Sequence, residues 1–307
     1  MVRLPQQPAD LTFFQACRFL GSLGRLTQLR VTKPQTVAAL RELTTLTALD
    51  ICECHDRLDL YFLKDLPRLQ QLSLLKCSLL TLEGLQELTR LTAFETEDPA
   101  TVLPADLLTL TGLKRLELVY DEHDRYSIKT NNADTWASLS ALTRLSDNSE
   151  GFASWHMLPN LQVLEVFSCP PTLEGVRFPT QLRALSLYTS EDFSGNELHD
   201  LSPLSALTAL ERLHLIGDMM LPLPLLEGLT KLSLSTDLPN ASFPDLAGVS
   251  NLRALELWYD VPLCLPDLSG LVHLSTIYFN DDMGPLTVDV RASKQFEFVY
   301  LSDFYFQ

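Results

Sequence analysis

The apolar residues of this chain recur in one spacing. In the stretch Leu110 to Asp121, LTGLKRLELVYD, leucines stand at 110, 113, 116 and 118. The last two, separated by a single residue, fit a short strand whose alternate side chains face opposite ways. The third apolar position of this pattern returns as Leu29, Leu49, Leu72, Phe94, Leu116, Leu145, Leu164, Leu185, Leu213, Leu232, Leu255, Ile277 and Phe296. That makes thirteen units with a mean period near 22 residues. A fixed period of this length predicts an array of like units, each burying its apolar face only against its neighbours.

The spacing L-x-x-L-x-x-L-x-L followed by a small polar residue or Cys resembles the leucine-rich repeat family. DLSPLSALTALERLHL (200–215) is similar to the short repeats of bacterial internalin-type adhesins, and LPADLLTLTGLKRLELVYD (103–121) to those of plant and algal immune-type proteins. The resemblance implies an α/β fold: a right-handed solenoid or horseshoe, with one parallel strand per repeat on the concave face. Short helices, 3-10 turns and loops would return over the convex face. It further implies protein–protein recognition by the concave face, without chemistry. In the family, the position five residues after the third apolar one is usually Asn or Cys, bonding the turn backbone. Here it is Cys54, Cys77 and Cys169 in three repeats, Asp121, Asp218, Asp237, Asp260 and Asp282 in five, and Ser190 in one. A carboxylate accepts turn N–H groups but cannot donate as Asn does, which predicts a less regular ladder.

One leucine-rich repeat domain is expected over 1–307. Residues 8–22 would be an N-terminal helical cap, with Asp10 as N-cap and an apolar stripe through Leu11, Phe14 and Cys17, widened by Phe13 and Leu20. Residues 23–297 would carry about 13 repeats, and 298–307 a C-terminal cap. TVAALREL (36–43) and TLEGLQEL (81–88) read as one or two helical turns with Thr36 and Thr81 as N-caps. Residues 121–139 and 190–206 lengthen their repeats as insertions. The repeat LSALTRLSDNSE lacks its second strand leucine.

Composition narrows the function. Thirty-nine acidic against 23 basic residues give a net charge of −16, which argues against duplex nucleic acid and anionic membrane as partners. Neither a signal-peptide core nor an uncharged apolar stretch of membrane-spanning length is visible. Six cysteines without paired-cap spacing suit a reducing, cytoplasmic setting. The cluster Cys52, Glu53, Cys54, His55 lacks the second ligand pair of a structural zinc site. Nucleophile elbows, phosphate loops and dinucleotide fingerprints are all missing from the sequence, and carboxylates on an open surface lack the desolvation that acid–base work needs. The chain is therefore expected to be non-enzymatic, with no cofactor and no metal. Asn240-Ala241-Ser242 fits a glycosylation triplet of the kind that arises by chance.

What remains is a surface. Between the two strand leucines, the solvent-facing column includes Glu95, Glu117, Glu165, His214, Glu256, Tyr278 and Glu297. Two residues on stand Phe167, Tyr188 and Trp258, and one further Tyr120 and Tyr259; the column before holds Arg115, Arg144, Arg212 and Lys231. Aromatic rings beside carboxylates suit a protein partner with basic and apolar groups, met by a monomer. The candidate partner-binding residues are Glu95, Glu117, Tyr120, Glu165, Phe167, Tyr188, His214, Glu256, Trp258, Tyr259 and Tyr278. Competing readings are a secreted or surface recognition domain of adhesin or immune type, a regulatory or inhibitory subunit of an enzyme complex, and a structural spacer.

Overall fold

Where the repeat spacing drops from three to two, the backbone becomes strand. The computed structural model describes residues 2–3, 13–34, 36–81, 84–97, 107, 109–118, 137–147, 155–169, 172–189, 200–217, 222–236, 245–259, 268, 270–280 and 297–301. Two compact units divide the chain, Met1–Asn160 and Leu161–Gln307.

The first unit contains β1 (Val2–Arg3), α1 (Phe13–Ser22), β2 (Gln28–Thr32), β3 (Ala48–Asp59), β4 (Gln71–Thr81), β5 (Ala93–Thr96), β6 (Arg115–Leu118) and β7 (Arg144–Asp147). Its strands pair in sequence order, all parallel. Leu29, Leu49, Leu72, Phe94, Leu116 and Leu145 share one register row and are buried. The second unit contains β8 (Val163–Cys169), β9 (Ala184–Thr189), β10 (Arg212–Ile216), β11 (Lys231–Thr236), β12 (Ala254–Tyr259), β13 (Thr276–Asn280) and β14 (Glu297–Leu301). These too are parallel and in order. Each unit is a leucine-rich-repeat solenoid.

The backbone between strands runs through i+3 hydrogen bonds on the spaced leucines. Leu40 N–H donates to Val37 O, Leu43 N–H to Leu40 O, and Leu46 N–H to Leu43 O, at 2.9–3.0 Å. These segments are 3-10 helices, at Ala38–Glu42, Tyr61–Asp65, Leu85–Glu87, Trp155–Met157 and Ser202–Ala206. A spacing of three suits 3-10 geometry, which returns a side chain to the same face every third residue. The expected threonine caps are corrected. Val37 precedes the first segment without a side-chain cap, Thr81 ends β4, and Gly84 enters the third at φ 100°. Two segments instead begin from an aspartate: Asp59 Oδ1 accepts Tyr61 N–H at 2.9 Å, and Asp200 Oδ1 accepts Ser202 N–H at 2.8 Å. The contacts from Ser202 hold the Asp200 carboxyl below the usual carboxylate range.

The N-terminal helix turns inward the stripe expected of it except at Phe14. Cys17 is buried, Phe13, Ala16 and Leu20 are half-buried, and Phe14 is exposed. Gly21 sits so close to the Glu42 carbonyl and Leu43 side chain that a Cβ would overlap the carbonyl, so this face turns onto Ala38–Glu42. Asp10 and Leu11 lie outside the described residues. At the other end, Ile277 pairs with Phe298, so Phe298 replaces Phe296 in the leucine row, and Val299 replaces Glu297 beside Tyr278. Thus 297–301 form a strand. Residues 121–136 and 190–199 of the two insertions, the five ladder aspartates, Ser190, Asn240 and Cys264 fall outside the described residues.

Candidate functional site

The columns between the strand leucines follow from the strand register, but not every member faces solvent as expected: Glu117, Ser146 and Ser233 are buried. In the first unit, Arg30, Asp50, Ser73, Glu95, Glu117 and Ser146 align as neighbours. In the second, Glu165, Ser186, His214, Ser233, Glu256 and Tyr278 do the same.

Many of these carboxylates are engaged by cations on the same or the adjoining strand. Glu117 is 7% exposed. It takes a bidentate pair from Arg115, at 2.7 Å to each oxygen, and an ion pair from Arg144 Nε at 3.2 Å. Two guanidiniums on one carboxylate leave a local surplus of positive charge. In the second unit, Lys231 Nζ lies 2.7 Å from Glu256 Oε1, and in the first, Arg30 bonds Asp50 at 3.1 Å. The basic column therefore neutralises part of the acidic one. Glu95 and Glu165 are half-buried.

The aromatic residues meet in the second unit. Phe167 of β8 stacks on Tyr188 of β9, with centroids 4.6 Å apart and planes 25° apart. Tyr188 in turn meets His214 of β10 edge to face at 5.5 Å. All three are half-buried, so the rings form a band across neighbouring strands that still meets solvent. Burial first, and then the nearby Lys231 ammonium, push His214 down to about 4, so the imidazole is neutral at pH 7. Trp258 and Tyr278 stand half-buried on β12 and β13. Tyr120 and the side chain of Tyr259 fall outside the described residues.

The cysteine ladder positions are buried. Cys54 and Cys77 face each other across β3 and β4, and Cys77 Sγ donates toward Leu75 O at 3.3 Å and Ile51 O at 3.5 Å. Burial pushes the Cys169 thiol up to about 12. The three thiols pack as core groups. Among the described residues, no group of three or more His, Cys, Asp or Glu could hold a metal ion, and no helix is long and apolar enough to cross a membrane.

Sequence reasoning missed two features. The first is a second ladder, two residues before the third apolar position in five repeats. Thr47, Thr92, Thr143, Thr230 and Ser275 hydroxyls each donate to a carbonyl of the preceding repeat, at 3.0–3.1 Å. The same carbonyls accept two backbone N–H groups, as Thr27 O does from Thr47 and Ala48. The recurring L-[TS]-x-[LFI] was its signal. The second is Asp147, standing where the missing strand leucine would be, fully buried and bonded to Trp155.

Comparison with known proteins bears on the fold. No protein-family model matches the sequence, and no curated protein matches it. Among solved structures, the chain is similar to an internalin, InlF, from Listeria monocytogenes str. 4b F2365, with a TM-score of 0.58 at 19% identity. The match covers 93% of this chain and 88% of that one. It is also matched, at a TM-score of 0.42 and 19% identity, to the functional domain of InlJ from Listeria monocytogenes, over 91% of this chain and 53% of that chain. The chain has a leucine-rich-repeat fold. Its particular likeness is to the internalin fold.

Proposed function

We propose that this chain is a non-catalytic recognition module that binds a protein partner through the solvent face of its strands. The observation that carries the reading is the Phe167–Tyr188–His214 ring band. Half-exposed rings that stack on one another present a rigid apolar surface at little entropic cost, the composition of an interface centre. Glu165, Glu256, Trp258, Tyr259 and Tyr278 extend it in the second unit. On the first unit's own strand face, Glu95, Glu117 and Tyr120 are the proposed contacts, Glu117 acting through the guanidiniums it holds. A partner offering apolar groups and basic side chains suits rings flanked by carboxylates. Nucleic acid and membrane remain outside the proposal, since the net charge of −16 opposes both.

The module is proposed to act as a monomer in the cytoplasm. Support comes from the ladder thiols, which serve as core hydrogen-bonding groups and suit a reducing compartment. The test is affinity capture from the native source with the wild-type chain and with Tyr188→Ala, Glu256→Ala and Trp258→Ala combined. The combined variant should lose the partner while keeping its circular dichroism and melting temperature close to wild type. Undiminished capture by a folded variant rejects the reading.

A further inference from the structure

The two opposed thiols of the first unit do more than fill a core. Cys54 and Cys77 are direct register partners on adjacent parallel strands, and both are buried. Neighbouring strands run about 4.8 Å apart, inside the span of roughly 4.4–6.8 Å between Cα atoms that a disulfide bridges. Side chains at paired positions of a parallel ladder leave the sheet on the same side, so the Cβ atoms also start about 4.8 Å apart. Closing the bridge draws them together to the roughly 3.5–4.5 Å that a disulfide spans. The match survives a backbone irregularity because both strands share it. Glu53, just before Cys54, has φ 56°, and Lys76, just before Cys77, has φ 52°. Each strand makes the same left-handed step, so the thiols remain opposite. Elsewhere the pair would be sealed, but Cys54 lines an open cavity of about 510 Å³, together with Pro34, Thr36, Leu58 and Phe62. None of Cys17, Cys52, Cys54, Cys77 and Cys169 is disulfide-bonded.

We propose that Cys54 and Cys77 form an oxidative modification site: a latent disulfide, closed by a small peroxide that enters through this cavity. The Cys54 sulfur attacks one peroxide oxygen, the O–O bond breaks, and Cys54 becomes a sulfenic acid as water leaves. The Cys77 sulfur then attacks the sulfenic sulfur, and its proton leaves with the displaced hydroxide as a second water. Two thiols lose two electrons and one peroxide gains them. Cys77 is suited to the second role. It stands opposite Cys54 in the register and does not line the cavity, so Cys54 meets the peroxide first and Cys77 meets the sulfenic sulfur. Its hydrogen bond with the Cys54 side chain, and then burial, hold its thiol well above the ordinary range, which makes the second step slow rather than fast. Cys52, half-buried two residues away, pairs in register with Leu75 and has no opposed thiol. The closed bridge would span 22 intervening residues and tie the second repeat to the third.

The test uses the whole chain, reduced, freed of reductant under inert gas and treated with hydrogen peroxide in the native state. The thiols left are alkylated in denaturant and the protein is digested without reduction for mass spectrometry. The expected result is a peptide pair joined through Cys54 and Cys77, with both sites losing alkylation together and regaining it after dithiothreitol. Cys52→Ser should leave the link intact. Cys77→Ser should leave Cys54 as a sulfenic acid that dimedone traps. Full alkylation of Cys54 and Cys77 after peroxide, or a link through Cys52 instead, overturns the proposal. The wild-type measurement decides it even where a variant fails to fold.

Discussion

The indole Nε1 of Trp155 donates a hydrogen bond of 3.0 Å to Asp147 Oδ2, and both side chains are fully buried. Asp147 stands two residues after Leu145, where other repeats place a core leucine such as Leu118 or Leu187. A carboxylate in that row demands a donor, and the indole, brought in by the 3-10 turn Trp155–Met157, supplies one.

Asp147→Leu restores the repeat's usual residue yet strips the buried indole of this acceptor. It should lower stability by about 1–3 kcal/mol. Adding Trp155→Phe removes the donor as well and should recover part of that loss. Urea unfolding of the wild type, both single variants and the double variant gives the coupling directly. Additive losses would show that the two side chains act independently.

His214 makes stability depend on pH. Its folded pKa, about 4, lies below the unfolded value of 6.5, so the unfolded chain binds the proton more readily in between. Stability conferred by the neutral imidazole is complete above 6.5 and is lost as pH falls toward 4, by roughly 3 kcal/mol at most. His214→Gln should flatten the stability curve between pH 4 and 6.5, relative to wild type, and leave it unchanged at pH 8. Equal slopes for the two proteins would contradict the burial of His214.

Glu117 should matter to the fold before it matters to any partner. Removing its carboxylate by Glu117→Ala leaves Arg115 and Arg144 facing each other. Their side chains are 52% and 43% exposed, so water screens the repulsion, and the cost should be about 1–2 kcal/mol. Thermal melts at low and high salt check this, with the deficit shrinking as salt rises.

Gly217 follows β10 at φ 127°, and a Cβ there would run into the Thr189 side chain, whose hydroxyl bonds Ile216 O at 3.1 Å. Gly217→Ala should therefore cost about 2–4 kcal/mol through backbone strain and the displaced threonine. Gly24 at φ 58° has open space where a Cβ would stand, and Gly24→Ala should cost about 1 kcal/mol. Similar melting temperatures for the two variants would refute the steric account.

The repeats were legible because burial acts on every unit alike: Leu29 through Leu145 in one unit and Leu164 through Ile277 in the other occupy the rows their spacing assigns. Register failed only where the pattern was ambiguous, since FEFVYL offers apolar residues at 296, 298, 299 and 301, and pairing with β13 selects Phe298. Threonine capping was misread because Thr36 precedes a 3-10 segment entered from Val37. Aspartates at 59 and 200, likewise two residues before their own 3-10 segments, each accept a first-turn N–H with a carboxylate, a bond that is not made at Thr36. The candidate surface was legible as columns of residue types. Its ion pairs were not, because spacing places Arg144 beside Arg115 and diagonal to Glu117 without saying which way a long side chain bends. The Phe167–Tyr188 stack joins residues 21 apart in the chain and needed the register to bring it together.

Docking on the ring-bearing face of the second unit can be located most directly by photocrosslinking. A photoreactive phenylalanine derivative replaces Tyr278 on the solvent face of β13 or, in a second protein, exposed Ser205 in the 3-10 segment Ser202–Ala206. Both are irradiated in an extract of the native source. Crosslinks to a common protein from position 278, and none from 205, are predicted. Crosslinks from 205 with none from 278 would contradict the account.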